Sequence, residues 1–180
     1  MLLRAQLSQD DEPLRVVPAP MPIAPTRMAA AQSNDTATRA ELQALYTRCL
    51  QTYRDAAHSE GGEHEDAGAA MALFVAANLS ALNDVEVTPT LLDVLERQLR
   101  GLTRRSADWD AAPPEKRQYF FERTAILGVL ITGHHGNAKT QGAAALADVR
   151  RIARGYLEQL LGFDPRRLTI GPAGLTLRSR

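Results

Sequence analysis

The sequence predicts an all-α domain, a bundle of about five helices, on three observations. Apolar residues recur at three- and four-residue spacing through most of the chain. Aromatics are only 5% of residues against 44% hydrophobic overall, so the core must be built from Leu, Ala, Val and Ile. That composition suits close-packed helices better than a sheet. The third observation is the stretch from Pro113 to His135, PPEKRQYFFERTAILGVLITGHH, whose second half, Thr124 to Gly133, holds no charge. A segment apolar on every side has to be enclosed by other elements. It reads as a central helix, wet at its start and buried at its end. A buried strand is the rival, since Ile126, Val129, Ile131 and Thr132 are β-branched, but no other clear strand is present to pair with it. The ten uncharged residues are also too short for a membrane span, reaching ~15 Å as a helix against roughly 30 Å of hydrocarbon.

Taken in order, residues 1–35 read as a disordered tail. Pro13, Pro18, Pro20, Pro22 and Pro25 crowd into it, and PAPMPIAP favours extended polyproline II conformation. A semi-rigid spacer, dispensable for folding, is the ordinary role of such a segment; a ligand for an aromatic groove is the other. The helical domain spans 36–163. Its first helix starts near Thr36 to Thr38, where Thr38 and Glu41 stand in capping-box spacing. Leu42, Leu45, Tyr46, Cys49, Leu50 and Tyr53 form its apolar stripe, with Cys49 a small buried hydrophobe. Gly61 and Gly62, within HSEGGEHED, stop that helix.

A second helix presents Met71, Phe74, Val75, Asn78, Leu79 and Leu82 on one face, and Asn78 there requires hydrogen-bond partners. Thr88 and Pro89 are an N-cap and first-turn pair opening a third, with Leu91, Leu92, Leu95, Leu99 and Leu102 inward. Its other face carries Arg97, Arg100 and Arg104. SADWDAAPP, with Trp109, connects to the central helix. The last helix follows Gly136 and Asn137, directing Val149, Ile152, Ala153 and Leu157 inward and Arg150, Arg151 and Arg154 outward. Gly162 and Phe163 fit a Schellman ending, and Pro165 prevents a restart. Residues 164–180, including LTIGPAGLTL, form a short hairpin or extended end that must lie on the helices to be stable.

From about Ala67 onward the order of features resembles a family of small bacterial helical proteins known only as a domain of unknown function. The residues that carry the resemblance are AANLSALNDVEVTP, LLDVLERQLRGL, EKRQYFFERTAILGVLI and the closing LEQLLGFDPRRLTIGPAGL. It covers roughly two-thirds of the chain and brings no functional residue with it. Many members of that family look exported.

The net charge of zero conceals a polarity. Residues 1–95 carry 6 basic and 13 acidic side chains, and residues 96–180 carry 15 and 8, so the halves stand at −7 and +7. The N-terminus has no apolar run of signal-peptide length, which makes a cytoplasmic location the default, or an exported one if the start is misplaced or processed. A single cysteine excludes an internal disulfide and a Cys-based zinc site. His134 and His135 are adjacent and point roughly 100° apart on a helix, while His58 and His64 lie in an acidic loop; none has HExxH spacing. No serine elbow, P-loop or GxGxxG is present, so no catalytic, cofactor or metal residue is assigned.

The sequence therefore favours a non-enzymatic helical protein-interaction module, acting on a protein partner or by self-association. The alternative is an accessory nucleic-acid binder in which Arg97, Arg100, Arg104, Arg150, Arg151 and Arg154 hold phosphates and Trp109 and Tyr119 stack on bases. A metal-dependent hydrolase is a distant third.

Overall fold

A computed structural model describes residues 12–59, 61 and 65–177. Its helices are α1 (Ala24–Gln32), α2 (Thr36–Ser59), α3 (Ala67–Asn83), α4 (Pro89–Arg104), α5 (Ala107–Ala111), α6 (Pro114–Gln141) and α7 (Ala143–Leu161). A 3-10 turn, Pro165–Arg167, leads into an antiparallel hairpin of β1 (Leu168–Gly171) and β2 (Gly174–Leu177). The five expected helices are all there, and the two short ones, α1 and α5, are additions.

The bundle is built around α3. Eleven of its side chains or backbone positions are buried, from Ala67 to Ala81, because it is apolar on nearly every side. It packs most extensively on α6, and α4 and α7 also lie against it. The α3–α6 crossing is close at Gly128. A Cβ there would sit 3.0 Å from the Leu73 Cγ and 3.2 Å from the backbone nitrogen of Phe74. Around this crossing Phe121, Ala125, Ile126, Val75 and Leu79 are almost wholly enclosed.

The central helix departs from expectation in two ways. It runs through Gly136 and Asn137 to Gln141, and the chain turns at Gly142, whose φ of 100° lies where L side chains are strained. A helical glycine costs only about 1 kcal/mol, and burial of His135 and Ala138 keeps this turn in the helix. The helix is wet in its first turn and buried from Thr124 to Gly128 and at Ile131, as expected, but the division is not complete. Gln118 and Glu122, in the charged half, are 2% and 0% exposed, while Thr132 and Gly133, in the uncharged half, face outward.

Those two buried polar groups correct the reading of the N-terminal segment. From residue 12 it is ordered structure, not a disordered spacer; residues 1–11 lie outside the described part. Leu14, Val16, Ala24, Met28 and Ala29 join the core. Glu122 Oε2 accepts from the backbone N–H groups of Ile23 and Ala24 at 2.7 Å, so a carboxylate 98 residues away satisfies the start of α1. Gln118 Oε1 accepts from Ala19 N–H at 2.8 Å, and its amide donates to Glu122 Oε1 and to the Met21 carbonyl. Pro25 occupies the first turn of α1, where its missing N–H costs nothing. The proline density that reads as a tail includes one residue acting as a helix start.

Elsewhere the ends follow local chemistry. Asp35, not Thr38, caps α2, accepting from the Thr38 N–H at 2.7 Å. Thr88 caps α4 as expected, accepting from Leu91 N–H, and Gly162 ends α7 with φ 72°. The hairpin is fastened to α4 by Gln98, whose amide pairs with both the N–H and the carbonyl of Leu175 at 2.8 Å.

The crossing supplies a test by urea unfolding. Leu127→Ala should cost ~2–5 kcal/mol through the cavity it leaves. Gly128→Ala, which would stabilise an open helix by up to about 1 kcal/mol, should instead destabilise, because the Phe74 backbone cannot yield to the added methyl. A stabilised Gly128→Ala would mean that α3 and α6 do not approach this closely.

Candidate functional site

The three arginines of α4 do not form one cationic face. Arg97 is exposed. Arg104 donates to the Glu12 carbonyl at 2.8 Å. Arg100 is drawn inward, where Nε donates to Asp66 Oδ2 at 2.9 Å and Nη2 reaches both Asp66 and Glu96. Asp66 is 1% exposed and explains the inward turn. Its other oxygen, Oδ1, caps α3 through Gly68 N–H at 2.8 Å and accepts from Leu14 N–H at 3.0 Å. One carboxylate thus ties the N-terminal segment, α3 and α4 together, and flanking backbone bonds (Val16 N–H to the Glu65 carbonyl, Ala67 N–H to the Leu14 carbonyl) reinforce it. Gly68 is required: a Cβ there would lie 2.2 Å from the Arg100 Cγ.

Arg150, Arg151 and Arg154 are exposed on α7, and Arg151 is paired with Asp148 at 2.9 Å. Helices α4 and α7 both rest on α3 and share no extended packing with each other. The two arginine sets are therefore not joined into one surface. Of the aromatics read as base-stacking, Tyr119 lies beneath the Arg27 guanidinium at 5.6 Å. Trp109 stands edge-on to Phe120, with ring centroids 5.8 Å apart, and under the Arg117 guanidinium at 5.3 Å. Arg117 also donates to the Trp109 and Asp110 carbonyls, fixing α5 onto α6.

Trp109 forms part of a largely apolar groove of about 560 Å³, within the range of ligand and peptide pockets. Its walls come from α4, α5, α6 and the end of α7, through Leu99, Leu102, Phe120, Leu160 and Leu161. Leu102 is 54% exposed at this groove, a large apolar side chain left in water. Lys116 and Asp108 stand on its edge.

The profile of a family of unknown function, DUF6683, matches residues 4–178. The chain belongs to DUF6683. The match extends the resemblance seen from Ala67 onward across the N-terminal segment as well. Neither the curated proteins nor the solved structures compared with this DUF6683 chain yield a match.

Among the described residues of this DUF6683 chain, no group of three or more His, Cys, Asp or Glu side chains is placed to hold a metal ion, and no helix is long and apolar enough to cross a membrane. His64 lies outside the described residues. Cys49 is buried, and burial raises its thiol pKa. His135 is buried beside Asp84, its Nε2 3.8 Å from Oδ1. Asp84, in left-handed backbone conformation at the end of α3, also faces Lys139 at 3.7 Å. Burial, then Lys139, holds the imidazole pKa below its ordinary value, with Asp84 opposing.

Two groups with central roles escaped the sequence reading. Asp66 precedes AGAA at the start of a helix, an N-cap signal, but it sits in a run of loop acids that reads as solvated charge. Glu122 sits in an exposed-looking FFER, and only the docking of a segment far away in sequence makes it internal.

Two measurements follow. Arg100→Ala should cost ~3–5 kcal/mol by leaving Asp66 buried without its cation. Arg97→Ala, at an exposed position, should stay within about 0.5 kcal/mol; equal effects in urea unfolding would refute the inward role of Arg100. For His135 the folded pKa lies below the unfolded one. Its contribution is therefore intact above about pH 6.5 and is lost as pH falls through the folded value. Unfolding midpoints between about pH 7 and pH 5 should decline less in His135→Gln than in the parent.

Proposed function

We propose that this chain is a non-enzymatic interaction module that receives the apolar face of an amphipathic helix from a protein partner in the groove between α4, α5, α6 and α7. The observation that carries this reading is Leu102, exposed beside a fixed Trp109 in an apolar groove walled by helices. Helix-in-groove recognition uses such a surface, with anchors spaced three and four apart filling it. Lys116 at the edge, in a C-terminal half of charge +7, favours a partner helix with acidic flanks. The arginines of α4 give little to a nucleic-acid reading, since Arg100 is committed to Asp66. Phosphate binding would fall to the exposed α7 set.

Trp109 is the sole tryptophan and so reports directly on the groove. Titration with a synthetic Leu/Glu amphipathic helix should shift its emission saturably. Leu102→Glu should remove the response without lowering the melting temperature. An emission unmoved by the peptide overturns the reading. So does a shift that depends only on protein concentration and tracks dimer formation in sedimentation, or salt-sensitive DNA or RNA binding lost in Arg150→Ala/Arg151→Ala/Arg154→Ala.

A further inference from the structure

Phe120 and Leu160 wall the Trp109 groove and also a second recess, of about 290 Å³, between α3, α6 and α7. Phe74 on α3 and Thr124 and Leu127 on α6 form its buried floor. The half-buried rings of Tyr119, Phe120 and Tyr156 stand around that floor. The chain has only four Phe, four Tyr and one Trp, and four of these rings meet here. Arg123 and Gln159 are exposed at the rim. We propose that this recess binds a small aromatic carboxylate, its ring held among Phe74, Tyr119, Phe120 and Tyr156 and its carboxylate on Arg123.

The walls select the body of the ligand. Thr124 spends its hydroxyl on the Phe120 and Phe121 carbonyls at 2.9 Å, so the floor offers a ligand no hydroxyl proton. Phe74 and Tyr156 are tilted by 50° with ring centroids 6.0 Å apart, and rings set at an angle take a further planar ring edge-on or offset. A cavity of about 150 Å³ holds benzene, so this one has room for two fused rings.

Charge selects the head group. Among the described residues of the lining, Arg123 is the only charged one, and no acid stands with it. Arg27, over the Tyr119 ring at 5.6 Å, is already paired with Glu115. Arg123 has neither an ion pair nor a hydrogen bond among the described residues. Its guanidinium is a planar fork of donors that matches a carboxylate. An ammonium group would meet that cation with no carboxylate in the lining to offset it. Burial raises the Tyr156 phenol pKa, with the nearby Arg123 opposing. The hydroxyl keeps its proton at neutral pH and supplies a second donor beside Arg123.

Isothermal titration of the full chain with three probes that share one ring system, 2-naphthoate, 2-naphthamide and 2-naphthylmethylamine, tests the proposal. Naphthoate should bind tightest, the amide more weakly and the amine weakest. Arg123→Gln removes an exposed side chain, so the melting temperature should hold while naphthoate weakens about tenfold, the effect of a lost charge-assisted hydrogen bond. The amide should not register that change. Tyr156→Phe should weaken naphthoate about threefold to fivefold. Arg150→Ala/Arg151→Ala/Arg154→Ala, which lowers the positive charge of α7 outside the recess, should leave its affinity as it was. No heat with naphthoate, an amide or amine that binds as tightly, unchanged affinity in Arg123→Gln, or a loss in the α7 triple variant equal to that in Arg123→Gln would each overturn the assignment.

Discussion

The close approach of α3 and α6 sets the terms for the rest of the bundle. Two helices can meet backbone to side chain only where one of them gives up a side chain, and Gly128 does so against Leu73 and Phe74. Because α3 is apolar around nearly its whole circumference, it must then be covered on its remaining sides. Helices α4 and α7 provide that cover from different directions, and neither needs the other. The groove beside Trp109 is a by-product of this arrangement, the space left where helices that share one central neighbour fail to close on each other.

A second level of organisation is polar. Asp66 and Glu122 are carboxylates with almost no exposure, yet both serve backbone N–H groups at helix starts. The favourable field of a helix N-terminus and the hydrogen bonds offset part of the cost of burying charge. Asp66 has Arg100 as well; for Glu122 the Gln118 amide completes the shell. These contacts hold the irregular stretch before α1 in place, where helical hydrogen bonds are not available to do so.

The order and type of the main helices were legible because each rests on local signals: the stripes of α2 and α4, the Thr88–Pro89 start, the Gly162 stop. What escaped was non-local. Nothing around Pro13–Pro25 tells a reader that Gln118 and Glu122 will supply acceptors for its backbone. Nothing in LERQLR distinguishes Arg100 from Arg97, since the difference lies in what each one faces across the bundle. Candidate surfaces were harder still. Trp109 was visible as an outlying aromatic, but the groove around it depends on Leu102 and Leu161, from helices far apart in sequence.

The bonds from Ala19 and Ile23 to α6 span 99 residues. On a ribosome, the segment before α1 emerges while Gln118 and Glu122 do not yet exist as partners. The Ala19, Ile23 and Ala24 donors must stay in water until those partners have been made, and contacts so far apart in sequence are slow to close. The stretch between Ala19 and Ala24 therefore takes its final hydrogen bonds only after the first half of α6 has been made.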